Sequence, residues 1–241
     1  MLSERSGMKK FELALETEKK FFGLKMFRIR ALISFSSISK GDLGGYIEKE
    51  SNLSQSGNAW VSGDAWVSGD AQVHGDAQVY GDAWVSGNAL VSDNAQVYGN
   101  ARVSVNTWVS GDAQVYGNVR VSGNTQVHGN AQVYGDAQVY GNAKVYGDAQ
   151  VYGDAQVSSD AWVYGDAHVF KYGQCVVINN QKHSITITNK NIFIGCEAFK
   201  DFADFKKRYK IAGKKHAYTS REISNIYDIV KVIHIQTRKI K

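Results

Sequence analysis

The 241-residue chain contains no proline at all and only two cysteines. With 43% hydrophobic residues and no proline-rich linker, it reads as one elongated body with end pieces rather than two globular domains. Two cysteines, Cys175 and Cys196, make no disulfide framework, and free buried thiols are expected. There is no long hydrophobic run either. The apolar-rich stretch Phe21 to Phe35 is interrupted by Lys25, Arg28 and Arg30 and is too short to span a bilayer. No targeting segment is apparent, so the expected location is cytoplasmic, with Met1 and Met8 both readable as starts.

What the chain does have is one six-residue phrase, G-(D/N)-A-x-V-(S/Y/H), repeated from Gly57 to Phe170. A fixed period this short means one unit stacked on copies of itself. Triplets such as Gln78-Val79-Tyr80 and Gln96-Val97-Tyr98 read out, in, out, which suits a short strand with one buried face. Gly followed by Asp or Asn supplies a corner, because Gly tolerates positive φ and Asx side chains bond their local backbone. Ala, four residues after each Val, is small enough for the interior beside that corner. A Gly and a β-branched Val in every hexad exclude helix.

The coil length follows from which spacing sorts the residues. At eighteen, the position after Val reads Ser62, Tyr80, Tyr98, Tyr116, Tyr134, Tyr152, Phe170, and the position before it reads Trp60, Gln78, Gln96, Gln114, Gln132, Gln150, His168. Periods of six or twelve do not sort them. Three hexads therefore close one coil of a triangular prism. Leu43 to His168 makes seven coils of eighteen, a length of roughly 34 Å at the usual strand spacing.

The phrase resembles the hexapeptide-repeat, left-handed parallel β-helix superfamily, whose pattern is [LIV]-[GAED]-x-x-[STAV]-x. Val as first element and Ala as fifth match through the array, and Leu43-Gly44-Gly45-Tyr46-Ile47-Glu48 matches at its start, although Gly here sits third rather than second. The left hand of the helix is implied by this resemblance alone. The head is similar, more narrowly, to a group of phage and prophage proteins. Lys10-Phe11-Glu12-Leu13, Phe27-Arg28-Ile29-Arg30-Ala31-Leu32, Lys40-Gly41-Asp42-Leu43-Gly44-Gly45 and Asn52-Leu53-Ser54 occur there in the same order before such an array, as do Ile194-Gly195-Cys196-Glu197 and Ile211-Ala212-Gly213-Lys214-Lys215-His216 in its tail. Members of that group are commonly labelled polymer-forming or transferase-like.

The fold class is thus mainly β, a triangular parallel β-helix with two caps. Residues 1–42 form an N-terminal β cap, 43–170 the β-helix and 171–241 a C-terminal α+β domain. Phe11 to Leu32 reads as a hairpin covering the prism's open end. Beyond the array, Cys175–Ile178, Ser184–Thr188 and Ile192–Ile194 read as strands. Glu197 to Lys210 has helical spacing, and Thr219-Ser220-Arg221-Glu222 is a capping box opening a second helix.

Charge is divided unevenly. Residues 57–170 carry eleven Asp against Arg102, Arg120 and Lys144, a balance of −8, whereas 1–56 carry +3 and 171–241 carry +10, summing to +5. Such a division fits nucleic-acid contact by the tail or head-to-tail association. Stacked Asp would repel, but one corner column reads Asn58, Asp76, Asn94, Asp112, Asn130, Asp148, Asp166, which places amides between carboxylates. The G-G-x-G-x-D calcium signature is absent, and no metal or other cofactor is expected.

An acyl-CoA-dependent transferase working at a trimer seam is the enzymatic alternative that the superfamily implies. No hexad is interrupted by a loop, and His74, His128 and His168 occupy ordinary outward positions with no carboxylate to orient them, so no catalytic residue is assigned. The candidate partner-binding face is the column Tyr80, Tyr98, Tyr116, Tyr134 and Tyr152 beside Gln78, Gln96, Gln114, Gln132 and Gln150, since Tyr offers large area with few rotors to freeze. A candidate basic patch comprises Lys206, Lys207, Arg208, Lys210, Lys214 and Lys215. The expectation is a non-catalytic rigid scaffold that binds a protein partner such as a host factor. The alternatives are the transferase and a self-assembling filament, with dimer, trimer and end-to-end assemblies all open, no membrane contact expected, and nucleic-acid contact left open only through the basic C-terminal cap.

Overall fold

The computed structural model describes residues 9–165, 167–169, 176–179, 184–187, 192–194 and 197–239. Met1, Met8, Asp166, Phe170, Cys175 and Cys196 lie outside them. Nineteen short strands, β4 to β22, run from Trp60–Val61 to His168–Val169, one per hexad. Each pairs in parallel with the strand eighteen residues away: Gln96 with Gln78 and Gln114, Arg102 with Trp84 and Arg120, Trp108 with Leu90 and Gln126. Three sheets result, one per side of the prism. The expected coil length and register are therefore observed.

The interior is a column of Val and Ala. Val61, Val79, Val97, Val115, Val133 and Val151 are wholly buried, as are Ala59, Ala77, Ala95 and Ala113. Each buried Val contributes about 1.5–3 kcal/mol against an exposed one. The backbone is paired coil to coil: Gln78 N–H donates to Ala95 at 2.9 Å, and Tyr80 N–H to Val97 at 3.0 Å.

At the corners the chain turns with positive φ and stacks tightly on the next coil. Gly57 has φ +70°, and a Cβ there would lie 2.4 Å from the Gly75 carbonyl oxygen. Gly is thus required twice over, by conformation and by space. Asp93, Val105 and Ser159 hold corner positions with φ of 59°, 65° and 57°. Asp93 offsets its cost through a carboxylate that accepts from Gly111 N–H at 3.0 Å. Val105, β-branched and half exposed, has no such compensation.

The hairpin β1 (Phe11–Phe21) and β2 (Leu24–Ala31) is antiparallel, and β2 pairs with β3 (Leu43–Ile47), which stacks in parallel on Trp66–Val67. Phe11, Ile29 and Ala31 join the prism core, so the hairpin closes its first coil. Lys10 completes the closure: its ammonium donates to the carbonyls of Ala59 at 2.9 Å, Gly57 at 3.3 Å and Ser56 at 3.5 Å. Burial pushes this ammonium down to about 8, partly opposed by Asp76. Trp60, in a column that is otherwise outward, is buried against Phe35 of the same cap.

Beyond the array, β23 (Val176–Asn179), β24 (Ser184–Ile187), β25 (Ile192–Ile194) and β26 (Glu197–Phe199) form an antiparallel sheet, followed by α1 (Phe202–Lys215) and α2 (Ser220–Lys239). The helix expected from Glu197 is corrected at its start. Glu197–Phe199 pairs with Ile192–Ile194, and α1 begins only after Asp201, whose side chain caps Asp204 N–H at 2.8 Å. The capping box forms as expected, with Thr219 N–H donating to Glu222 at 2.7 Å and Glu222 N–H to Thr219 at 3.3 Å. Ile185, Ile187, Phe199, Phe205 and Val230 make a second core, and Thr186 Oγ1 accepts from Trp162 N–H of the prism at 3.1 Å.

Val105→Gly removes the side chain that opposes positive φ, at the cost of some backbone entropy. Thermal unfolding followed by circular dichroism is expected to show a midpoint raised by about 1–4 °C. A lowered midpoint contradicts the reading of Val105 as strained.

Candidate functional site

The three sides of the prism differ in what their outward columns carry. On one side Tyr80, Tyr98, Tyr116, Tyr134 and Tyr152 form a continuous ladder, with ring centroids 4.7, 4.8, 5.1 and 4.8 Å apart and planes within 3° of parallel. The repeat imposes that spacing, because each ring stands one coil above the last. The column of Gln78, Gln96, Gln114, Gln132 and Gln150 runs beside it, and the hydroxyls of Tyr80 and Tyr134 donate to Gln96 and Gln150 at 3.3 Å. All ten side chains are partly buried. Burial raises the hydroxyl pKa of Tyr80, Tyr98, Tyr116 and Tyr134, and neighbouring Tyr oxygens add to the rise for the last three. The structure thus brings the expected Tyr and Gln residues onto one flat strip.

A second side begins with Tyr46, Trp66 and Trp84, then continues as Arg102 and Arg120. The hairpin tip folds down onto it. Phe21 packs against Trp66 with centroids 3.9 Å apart and planes tilted by 42°, and Phe22, though 79% exposed, lies parallel to Trp84 at 5.5 Å. Lys19 sits 4.8 Å above Tyr46, and Arg28 pairs with Asp64 at 2.9 Å while covering the same Tyr ring. An open groove between tip and corner column is lined by Trp84, Arg102 and Arg120 with Asp82, Asn100 and Asn118. No motif announces this contact; the adjacent Phe21-Phe22 pair between two strand-like runs and the Trp66/Trp84 column are its signals in the sequence.

The third side carries His128 stacked on Tyr146 at 4.9 Å, with Tyr146 on Tyr164 at the same distance. Burial and Lys144 both lower the His128 pKa. His168, which continues the Gln column on the Tyr side, meets Tyr152 edge-on at 6.3 Å. The corners between sides are bridged along the axis. Asn58 donates to Asp76 at 3.0 Å, Asn94 to Asp112 at 2.8 Å and Asn130 to Asp148 at 2.9 Å. A second column runs Asn88, Asn106, Asn124, Asn142, Asp160, each amide donating to the next.

The basic patch is divided rather than joined. Glu197 accepts from Lys215 at 2.7 Å and lies 3.1 Å from His216, contacts that lower its pKa, and it also lies 3.7 Å from Arg208. Arg208 also pairs with Asp204 at 2.8 Å. Lys206, Lys207, Lys210 and Lys214 remain exposed along α1. Among the described residues no three His, Cys, Asp or Glu stand where they could hold a metal ion, and no helix is long and apolar enough to cross a membrane.

Residues 51–156 match the family model described as Bactofilin, polymer-forming cytoskeletal, and residues 149–165 match one described as YdcK beta solenoid repeat. The chain is a parallel β-solenoid. No curated protein matches it. Both family matches fall on the array, whose coils the structure shows, and the first describes a domain whose members form polymers.

Changing Tyr98, Tyr116 and Tyr134 together to Ser deletes all four ring contacts of the ladder, each worth ~0.2–1 kcal/mol. A lower thermal midpoint with an unchanged far-ultraviolet spectrum is expected. An unchanged midpoint shows that the ladder adds nothing to stability.

Proposed function

We propose that this protein is a non-catalytic scaffold that assembles with copies of itself into a polymer, the filament alternative of the sequence reading. The observation that carries this is the match of residues 51–156 to a polymer-forming cytoskeletal family, falling on an array whose coils stack without a break. A continuous core of Val and Ala, with Thr107 and Thr125 buried among them, makes a stiff rod, and stiffness is what a structural polymer needs. The charge division supports the same reading, since a −8 rod next to a +10 tail favours association between copies at low salt. The proposed location is cytoplasmic.

The caps restrict how copies can join. Bare coil-on-coil stacking needs open strand edges, and at the N-terminal end Lys10 occupies the free carbonyls while Phe11, Ile29 and Ala31 cover the core. Contacts therefore run through the caps or along the flanks. The Tyr ladder favours a second reading, a scaffold that docks a protein partner such as a host factor on that strip, in keeping with the phage-type resemblance. It uses the same rod and requires no chemistry from it.

Static light scattering and negative-stain electron microscopy over a rising concentration series test the main reading. Elongated particles that lengthen with concentration, and shorten as salt rises, are expected. A particle that stays monomeric at every concentration and salt level overturns it.

A further inference from the structure

Trp108 stands apart from the other four tryptophans. Trp60 lies against Phe35, Trp66 against Phe21 and Trp84 against Phe22, and Lys144 covers the ring of Trp162. Among the described residues no ring or cation lies over Trp108, which is 48% exposed, and its register neighbours are Leu90 and Gln126. Val105, at the corner that leads into the same strand, is 49% exposed and holds φ at 65°, where the coils on either side place Gly87 and Gly123. A β-branched residue in that conformation costs stability, and strain observed at one such position points to a use for the side chain.

The same corner differs from the other two in charge. Its column reads Asp70, Asn88, Asn106, Asn124, Asn142, Asp160, so four successive coils carry no carboxylate there, whereas the other columns hold Asp76, Asp112 and Asp148, and Asp64, Asp82 and Asp136. Ser86, Ser104 and Ser122 precede this column and Leu90, Trp108 and Gln126 follow it, so the edge is neutral across three coils. Its amides are already bonded along the axis, Asn88 to Asn106 at 3.1 Å, Asn106 to Asn124 at 3.0 Å and Asn124 to Asn142 at 3.0 Å. Covering this edge therefore desolvates no charge and keeps each amide paired.

We propose that this edge is the seam along which a second copy packs antiparallel, with Val105 and Trp108 of one copy against Trp108 of the partner subunit and Val105 of the partner subunit. The array carries −8, so two rods repel along most lines of approach and meet at least cost where carboxylates are missing. Val105 stands 62 residues after Leu43 and 63 before His168, so a two-fold axis through its coil overlays the two arrays along their whole length. Antiparallel packing also keeps the two +10 tails at opposite ends. Trp and Val supply the desolvated centre of the contact, and Ser, Asn and Gln supply its rim. The inference rests on the self-assembly reading and adds a lateral contact to it.

Two full-chain variants test this with residues that the repeat itself uses in the same columns. Val105→Gly matches Gly87 and Gly123, and Trp108→Gln matches Gln72 and Gln126, so both keep the fold, which circular dichroism checks. Pairing is measured by sedimentation velocity, with filament width from electron microscopy. Trp108→Gln is expected to weaken lateral pairing about thirtyfold or more. Val105→Gly is expected to weaken it about tenfold while the thermal midpoint rises, which separates pairing from folding. Because the seam carries no charge, added salt is expected to shorten filaments without splitting them lengthwise. Variants that pair as the wild type does, or pairs that salt splits, overturn the proposal. Single-width wild-type filaments sink this inference and leave self-assembly standing; a wild type that is monomeric throughout sinks both.

Discussion

Every feature of the rod depends on the close stacking of one corner upon the next. Successive corners approach so tightly that a Cβ at Gly63 would lie 3.1 Å from Gly81 oxygen, and at Gly147 3.0 Å from Gly165 nitrogen. That approach fixes the axial repeat, and the repeat then dictates what any outward residue meets: its own counterpart eighteen residues away. Side-chain choice on this scaffold is therefore a choice of column. A Tyr yields a parallel ring stack, an Asn above an Asp yields a hydrogen bond, and an Arg above an Arg yields repulsion.

The columns show how the chain manages that rule. Eleven Asp in the array would repel if stacked alike. Asn is interposed so that amides donate along the axis, as in Asn94 to Asp112 and Asn142 to Asp160. The caps handle the ends by the same logic of satisfying exposed backbone. Lys10 supplies a donor to carbonyls that have no coil above them, and its desolvation is the cost of reaching them.

Periodic information was legible in the sequence and aperiodic information was not. The sorting of Tyr and Gln at a spacing of eighteen anticipates the register of all three sheets, and the order G-(D/N)-A anticipates corner, column and buried Ala. Contacts between residues far apart in sequence carry no such signal. Lys10 meets Ala59 across 49 residues, Phe21 meets Trp66, and Trp60 is buried by Phe35 despite its outward column. The helical reading of Glu197–Phe199 failed for a related reason: a strand partner, Ile192–Ile194, overrode local spacing. At the candidate site, the Tyr strip could be drawn from sequence alone, whereas the separation of Arg208 and Lys215 from the other lysines depends on Glu197, brought in by the sheet.

The central claim, that each coil stands on the next through an eighteen-residue repeat, is tested most directly by comparing two internal deletions by thermal denaturation. Removing residues 111–128 takes out one whole coil and rejoins Ser110 to Gly129 in phase. Removing residues 111–119 takes out half a coil and breaks every column at once. The account predicts that the first unfolds cooperatively at a midpoint only modestly below that of the intact chain, and that the second loses its cooperative transition. Two deletions that behave alike would contradict it.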